Sequence, residues 1–438
     1  MGADMFHLGW FFEGASPQAW GQPFTGAIGR DWMRPDFSVD VARALERARF
    51  DYVLIEDSSY VADAFGGTMD IYLRNAIATP RQDPAVVANL MLQATSRIGI
   101  VPTLATFAYP PYLTARLIGT LDQVSDGRVG WNMVTGSSTR AAQNFGLDDQ
   151  AEHDLRYDMA DEYMAVVNGL WDSWAPDSIV NDESNGIFAD YTKVNTIDFE
   201  GAYYKVRGPL NSGPLPQGRP AIAQAGGSPR GRQFAAQHAQ TIVTHTHGVP
   251  AMKAYRDDVR GRMEALGRKP DDCKVLFLVN PVIGATEAEA QERLAQRKAA
   301  AQAQAEIHLA HFSKITNIDF SLIGMDEVLG EQELHTNGHL QSLEEFVARN
   351  KGKTMREAAA GLGGTGCIDL IGTPESIAAQ MDEVMTEIGG DGFLLVSEEL
   401  NRRTLAEVAD GLVPALQKRG LTRTHYSFEQ FTDNLLEF

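Results

Sequence analysis

The chain has 438 residues, 44% hydrophobic and 22% charged, and no tract is biased enough for a disordered or low-complexity tail. Lys plus Arg is 38 against 58 Asp plus Glu, a formal charge of −20 that opposes nonspecific attraction to nucleic acid or an anionic membrane. Two cysteines, Cys273 and Cys367, stand far apart with no CxxC, which points away from a disulfide framework or a zinc ribbon and toward a reducing compartment.

The chain opens MGADMFHLGWFF, without the basic flank and long apolar run of a signal peptide, and with Phe6 where a myristoylation signal needs Ser or Thr. A cytoplasmic location is expected. Short apolar runs then follow at Phe6 to Phe12, Tyr52 to Glu56, Ile98 to Leu104, Val129 to Val134, Pro220 to Ala225, Thr241 to Thr244, Val275 to Val282 and Gly392 to Ser397. Between them lie helical patterns at Val39 to Ala48, Pro84 to Thr95, Leu113 to Val124, Leu155 to Trp171, Pro229 to His238, Met252 to Leu266, Glu287 to Ala303 and Glu375 to Ile388, with Leu405 to Gln417 closing the series.

Eight such strands in βα alternation, the last followed by one helix, predict an α/β fold: a (β/α)8 TIM barrel, here as one domain over 1–438. Excess length falls at about 58–83, 173–219 and 305–371. Segments after a barrel strand lie on the C-terminal face, so these are expected to be pocket walls or lids. The second, rich in Pro, Gly, Asn and Asp, reads equally as a surface excursion with a hairpin.

The most explicit local chemistry is PAIAQAGGSPRGRQFAAQHA, residues 220–239: strand, Gly226-Gly227-Ser228, then a helix with Pro229 at its first position. Ser228 is a natural N-cap, and the glycines let backbone N–H groups approach an anion at the positive helix end; an ordinary βα turn is the alternative. Arg230 and Arg232 either add charge there or face solvent. In EHDLRYDMADEY, His153 and Tyr157 are four apart on one helix face, able to brace a ring or donate to a phosphate, or else held in local hydrogen bonds. The barrel rule marks Asp57, Thr103, Asn132 and Thr135 at strand ends. Together they line a mouth with donors and acceptors rather than acids and bases, which suits a large polar heterocycle whose own atoms do the chemistry.

Two patterns are set aside. GLGGTG at Gly361 to Gly366 matches GxGxxG but follows a helix-like stretch and precedes a strand-like one, so it reads as a helix C-terminal turn. The closest histidine pairs, His245 with His247, His308 with His311 and His335 with His339, sit in no HExxH or Cys/His cluster, so no metal centre is expected.

The stretches LDQVSDGRVGWNMVTGSSTRAAQNFG, EHDLRYDMADEYMAVVNGLWDSW and FADYTKVNTIDFEGAYYKVRGPLNSGPLPQGRPAIAQAGGSPRGRQFAAQHA, with the late GDGFLLVS and LVPALQKRGL, resemble the flavin-dependent monooxygenases of the nitrilotriacetate, dibenzothiophene-sulfone and long-chain-alkane type, a branch of the bacterial luciferase superfamily. The resemblance implies FMN, bound reduced as FMNH2 at the C-terminal mouth and supplied by a separate NAD(P)H:flavin reductase, with O2 as co-substrate through a C4a-(hydro)peroxyflavin. It places Asp57, Thr103, His153, Tyr157, Gly227 and Ser228 on the family's FMN positions with Asn132 beside them, and Tyr157 and Ser228 toward the phosphate.

The resemblance also makes His311, in HLAHFSKITNIDFS, the candidate catalytic residue, with a helix-surface histidine as the alternative, and implies a homodimer or homotetramer acting on a small molecule. Two departures matter. The alkane-type member carries a histidine after the WNxVT element where this chain reads Gly136-Ser137-Ser138, so no base is transferred from there. The N-terminal loop GWFFEGASPQAWGQPFTGAIGRDW is aromatic and nearly uncharged, which points to an apolar or aromatic substrate rather than a polycarboxylate chelate, and the resemblance adds an organosulfur one. Competing readings are a deazaflavin- or NAD(P)H-dependent oxidoreductase on the same barrel and a flavin-binding protein without turnover.

Overall fold

The computed structural model describes residues 2–13, 32–329, 336–363, 366–397 and 400–438. Eight strands close into a barrel: β1 (His7–Phe12), β2 (Tyr52–Ile55), β3 (Gly99–Ala105), β4 (Gly130–Val134), β5 (Ala221–Gln224), β6 (Thr241–Thr244), β7 (Lys274–Val279) and β8 (Gly392–Leu395). Each pairs in parallel with its neighbours in sequence, and β8 closes on β1 through His7 opposite Gly392. The strands read as apolar runs because both faces are covered. Tyr52, Leu54, Val101, Val243, Leu276 and Leu394 fill the barrel, while the opposite faces meet helices.

Those helices include α1 (Asp36–Arg47), α2 (Pro84–Ala94), α3 (Pro111–Val124), α4 (His153–Trp171), α5 (Pro229–His238), α6 (Val249–Ala265), α7 (Glu287–Ala303), α8 (Ala305–Thr316), α9 (Leu340–Asn350), α10 (Met355–Ala360) and α11 (Pro374–Ile388). Proline sits in the first turn of α2, α3, α5, α6 and α11, where its missing N–H leaves no bond unmade. That is why α3 and α6 begin ahead of their apolar periodicity.

The N-terminal end of the barrel is plugged. Phe431 and Leu435, from the short helix Phe431–Leu435, join the barrel-interior cluster, and Phe431 meets Tyr52 edge-on at 5.8 Å. A Cβ on Gly99 would lie 2.3 Å from the Phe431 ring, so the plug depends on a bare backbone there. Access is from the C-terminal end.

Residues 58–83 follow β2 and residues 305–371 lie between β7 and β8, and the two segments pack on each other: Tyr72 donates to the Ala310 carbonyl (2.9 Å) and Tyr60 to that of Lys314 (3.3 Å). The third segment has its own core of Leu309, Phe312, Phe320, Leu343, Phe346 and Met355. For 173–219 the structure takes the surface excursion. This segment joins α4 to β5, a helix to a strand, so it does not rise from a strand end as a pocket wall would. It carries two small antiparallel hairpins, Ile179–Asp182 with Ile187–Ala189 and Phe199–Glu200 with Lys205–Val206, and leaves Tyr191 85% exposed.

Two expected elements are broken within their length. The run Val275 to Val282 breaks at Asn280-Pro281, where proline removes a ladder N–H, and Val282–Ile283 pairs instead with Ile371–Gly372. The closing helix is interrupted by a π-helical turn, Glu407–Leu412, just ahead of Pro414, whose ring crowds a regular preceding turn. Among the described residues no helix is long and apolar enough to cross a membrane.

Candidate active site

Gly226 and Gly227 lead from β5 to Ser228, whose hydroxyl accepts from the Gly231 N–H at 3.0 Å and caps α5. The glycines are required by what crowds them. A Cβ on Gly231 would meet the Tyr157 hydroxyl at 2.7 Å and Ser228 Oγ at 3.1 Å, and one on Gly226 would meet Gln224 Oε1 at 2.4 Å. Tyr255 of α6 donates to the Gly226 carbonyl at 2.5 Å and holds the turn.

Tyr157 is buried, which raises its pKa and keeps the phenol a proton donor. The His153 ring stands edge-on to it at 5.3 Å, with Nδ1 2.6 Å from Asp154. Arg230 and Arg232 are held by carboxylates: the first pairs with Asp158 and Asp161 while lying 5.6 Å from the centre of the Tyr157 ring, the second with Asp258. The helix end, with Ser228 and Tyr157 beside it, is electrostatically suited to an anion.

Along the rim, Thr103 and Asn132 face each other in register on β3 and β4. Thr103 donates to the Ile55 carbonyl (2.6 Å) and accepts from Asn132 Nδ2 (2.8 Å). With the hydroxyl proton committed to Ile55, the atom facing it must be the amide nitrogen. Asn132 Oδ1 is thereby left buried with no partner, as is Gln224 Oε1. Thr135 is half-buried just past β4. Asp57 follows β2, and burial, reinforced by the neighbouring Glu56 charge, raises its carboxyl to about 6 despite Arg81.

Strands β2 to β5 are consecutive in the barrel. Asp57, Thr103, Asn132, Gly227 and Ser228 consequently lie on one continuous arc of the rim, and His153 with Tyr157 leans in from α4.

The third insertion faces that arc. Lys314 is buried, with its ammonium 5.6 Å from the centre of the Tyr60 ring, and Arg81 pairs with Glu56 and donates to the Glu13 carbonyl (2.7 Å). His311, one turn before Lys314 on α8, is open to solvent on one side and ringed by protein on the others. That enclosure, with Lys314 and Arg81 nearby, lowers it to about 3. Sequence reasoning did not single out Gln224, Glu56, Arg81 or Lys314; Glu56 carried a signal, since it alternates inward after Tyr52 and Leu54.

Of the histidine pairs, His335 lies outside the described residues, and His308 and His311 share α8. His245 and His247 leave β6 with ring centroids 4.5 Å apart and meet Glu345 of α9, with His247 Nε2 3.8 Å from Glu345 Oε2. Desolvation by the surrounding protein, with Arg349 adding to it, lowers both imidazoles, His247 to about 4, although His245 keeps a solvent-exposed face. Gly361–Gly363 forms a short 3-10 turn after α10, and Gly364 and Thr365 lie outside the described residues.

The family described as luciferase-like monooxygenase matches residues 7–392. The chain belongs to the luciferase-like monooxygenases. It is 34% identical to a dibenzothiophene-sulfone monooxygenase of Rhodococcus erythropolis (strain XP), over 98% of this chain and 96% of that one. It is 31% identical to nitrilotriacetate monooxygenase component A of Aminobacter aminovorans, over 99% and 97%. The crystal structure of a riboflavin lyase with modified FMN and substrate riboflavin superposes with a TM-score of 0.89 at 31% identity, covering 99% of this chain and 96% of its own.

Membership makes this luciferase-like protein an oxygenase that works with a flavin. The residues present fit one. Asn132 Oδ1 is a buried acceptor short of a donor, which a ring N–H of a flavin would supply, and the turn at Ser228 opens a helix whose first N–H groups suit an anion.

Proposed function

We propose that this protein is the oxygenase half of a two-component system. It takes FMNH2 by diffusion from a separate NAD(P)H:flavin reductase and uses O2 to oxygenate or cleave a small apolar, aromatic or organosulfur substrate. The observation that carries the reading is the arc from Asp57 to Ser228, which ends in an anion cradle and has an unpaired acceptor part-way along. The relative named as a component A supports the two-component arrangement, and the sulfone relative supports the substrate class. The apolar loop that also motivates that class spans residues 9–32, of which 14–31 lie outside the described residues. A homodimer or homotetramer is part of the same proposal.

Bound FMNH2 supplies two electrons to O2, so that one oxygen atom enters the substrate and the other leaves as water. The chain's own residues bind, orient and exclude water. The α5 N-terminus, Ser228 and Tyr157 hold the phosphate, with Gly227 giving its backbone close approach and His153 bracing the Tyr157 ring. Asn132, turned by Thr103, accepts from a ring N–H; Asp57 contributes a carboxyl that changes charge near pH 6. His311 keeps a proton on one ring nitrogen and a lone pair on the other at neutral pH, so it offers a hydrogen bond rather than a positive charge.

The test is turnover with chemically reduced FMN under 18O2, with sulfones, dialkyl sulfides, alkanes and aromatics offered in turn. One labelled oxygen in an organic product supports the reading. Electrons passing wholly to hydrogen peroxide across the panel, at the rate of free flavin, count against it.

A further inference from the structure

We infer that His245, His247 and Glu345 form a binding site for one divalent transition-metal ion, joining β6 of the barrel to α9 of the third insertion. The three side chains offer ligand atoms that all lie within 4.8 Å of one another, and no ion is present.

The local backbone explains the approach. Beyond β6 the chain stays extended, so alternate residues fall on opposite sides. Thr244 and Thr246 are buried on one side with their hydroxyls 2.7 Å apart, which leaves His245 and His247 together on the other. Cys367 pins this segment twice, donating its thiol to the Thr244 carbonyl at 3.4 Å and accepting from the Gly248 N–H at 2.8 Å. The third ligand is equally constrained. Glu345 lies on α9 between Leu343 and Phe346, both fixed in the insertion core.

The donor set selects the ion. Two imidazoles and one carboxylate suit Zn2+, Co2+ or Ni2+, whereas Mg2+ and Ca2+ prefer all-oxygen shells. Arg349, one turn beyond Glu345, is the positive group facing both imidazoles; it opposes any dication equally, so the selection rests on the donor set. The His247 ring donates to the Gly366 carbonyl, the kind of second hydrogen bond that fixes the tautomer of a metal-binding histidine.

A tetrahedral ion needs its ligand atoms about 3.3 Å apart, so closure by up to roughly 1.5 Å completes the site. His247 and Glu345 at 3.8 Å are nearly there. Because His245 is exposed, the ion has a route in and a fourth position open to water or another ligand. Occupied, the site would tie the third insertion to the barrel and set a Lewis acid on the wall beside β5, one strand from the flavin arc.

The test is a titration of the full chain, stripped with a chelator and free of flavin, with Co2+ and with Zn2+. Its result is therefore independent of the flavin reading. One equivalent should bind, Co2+ should show the intense visible absorption of a four- or five-coordinate site, and Zn2+ should raise the Tm. His247→Ala and the near-isosteric Glu345→Gln should each weaken binding by about a hundredfold, since losing a mere supporting partner already costs ten- to a hundredfold. His308→Ala is the control and should leave it unchanged. Absence of stoichiometric binding to the wild-type chain overturns the inference, and so does equal affinity in a Glu345→Gln variant that melts like the wild type without metal.

Discussion

Asn132 donates its amide to Thr103, and in doing so turns a carbonyl oxygen into the barrel mouth with nothing to accept from. The orientation is imposed by the Thr103 bond to Ile55. Replacing Thr103 with Val removes that instruction without emptying the space. The amide then loses its fixed orientation, and affinity for reduced FMN should fall by roughly ten- to a hundredfold, the effect of about 1–3 kcal/mol for a buried polar group left unpaired. Anaerobic titration of FMNH2 into Thr103→Val and Asn132→Leu checks this. Wild-type affinity in both would remove Asn132 from the flavin site.

The cradle at Ser228 makes a prediction that separates phosphate from ring. Ser228→Ala and Tyr157→Phe should weaken FMN binding by roughly tenfold each while leaving riboflavin binding nearly unchanged, because riboflavin has no phosphate to lose. Ser228→Ala also removes a helix cap and should lower stability by about 1 kcal/mol. Parallel titrations with the two flavins decide it; equal losses for both would place the phosphate elsewhere.

Asp57 gives a pH dependence with a definite sign. Its carboxyl is raised from 3.8 to about 6, first by burial and then by Glu56. Between those values the folded state holds more protons than the unfolded one, so stability falls as pH rises through the window. Asp57→Asn should be more stable than the wild type above pH 6, by roughly 1–3 kcal/mol, and the gap should shrink as pH falls toward 4. Urea unfolding of both proteins across this range is the check.

His311 should contribute no inflection to activity between about pH 5 and 8, because its lowered pKa of about 3 keeps it neutral there. His311→Phe, which removes both ring nitrogens, should still cut turnover by roughly a hundredfold if the residue steers a proton. An inflection near 6.5 that disappears in His311→Phe would show a charged imidazole and refute this assignment.

The barrel plug is tested by Gly99→Ala. The new methyl would stand 2.3 Å from the Phe431 ring, and overpacking of this kind costs about 1–3 kcal/mol. The Tm should drop while flavin affinity, set at the other end of the barrel, stays unchanged.

The barrel was legible in the sequence because parallel strands covered on both faces leave apolar runs, and proline at helix starts marks the turns between them. The turn after β5 and its Ser228 cap were legible because Gly-Gly-Ser-Pro is a local signal. What faces the arc was not. Arg81 and Lys314 reach the end of β2 at Glu56 and Asp57 through the packing of two long insertions, and no short-range pattern records which turn of α8 looks toward the barrel. Asn132 was visible as a strand-end residue, but its unpaired oxygen follows from a three-residue relay across β2, β3 and β4 that only the register reveals.

The most direct measurement is the reoxidation of FMNH2 by O2, followed in a stopped-flow instrument with the protein present in excess and absent. A flavin held at the arc should reoxidise with its own time course, distinct from the autocatalytic oxidation of free FMNH2, and Ser228→Ala should return the trace toward the free one. A trace unchanged by the wild-type protein would contradict the account.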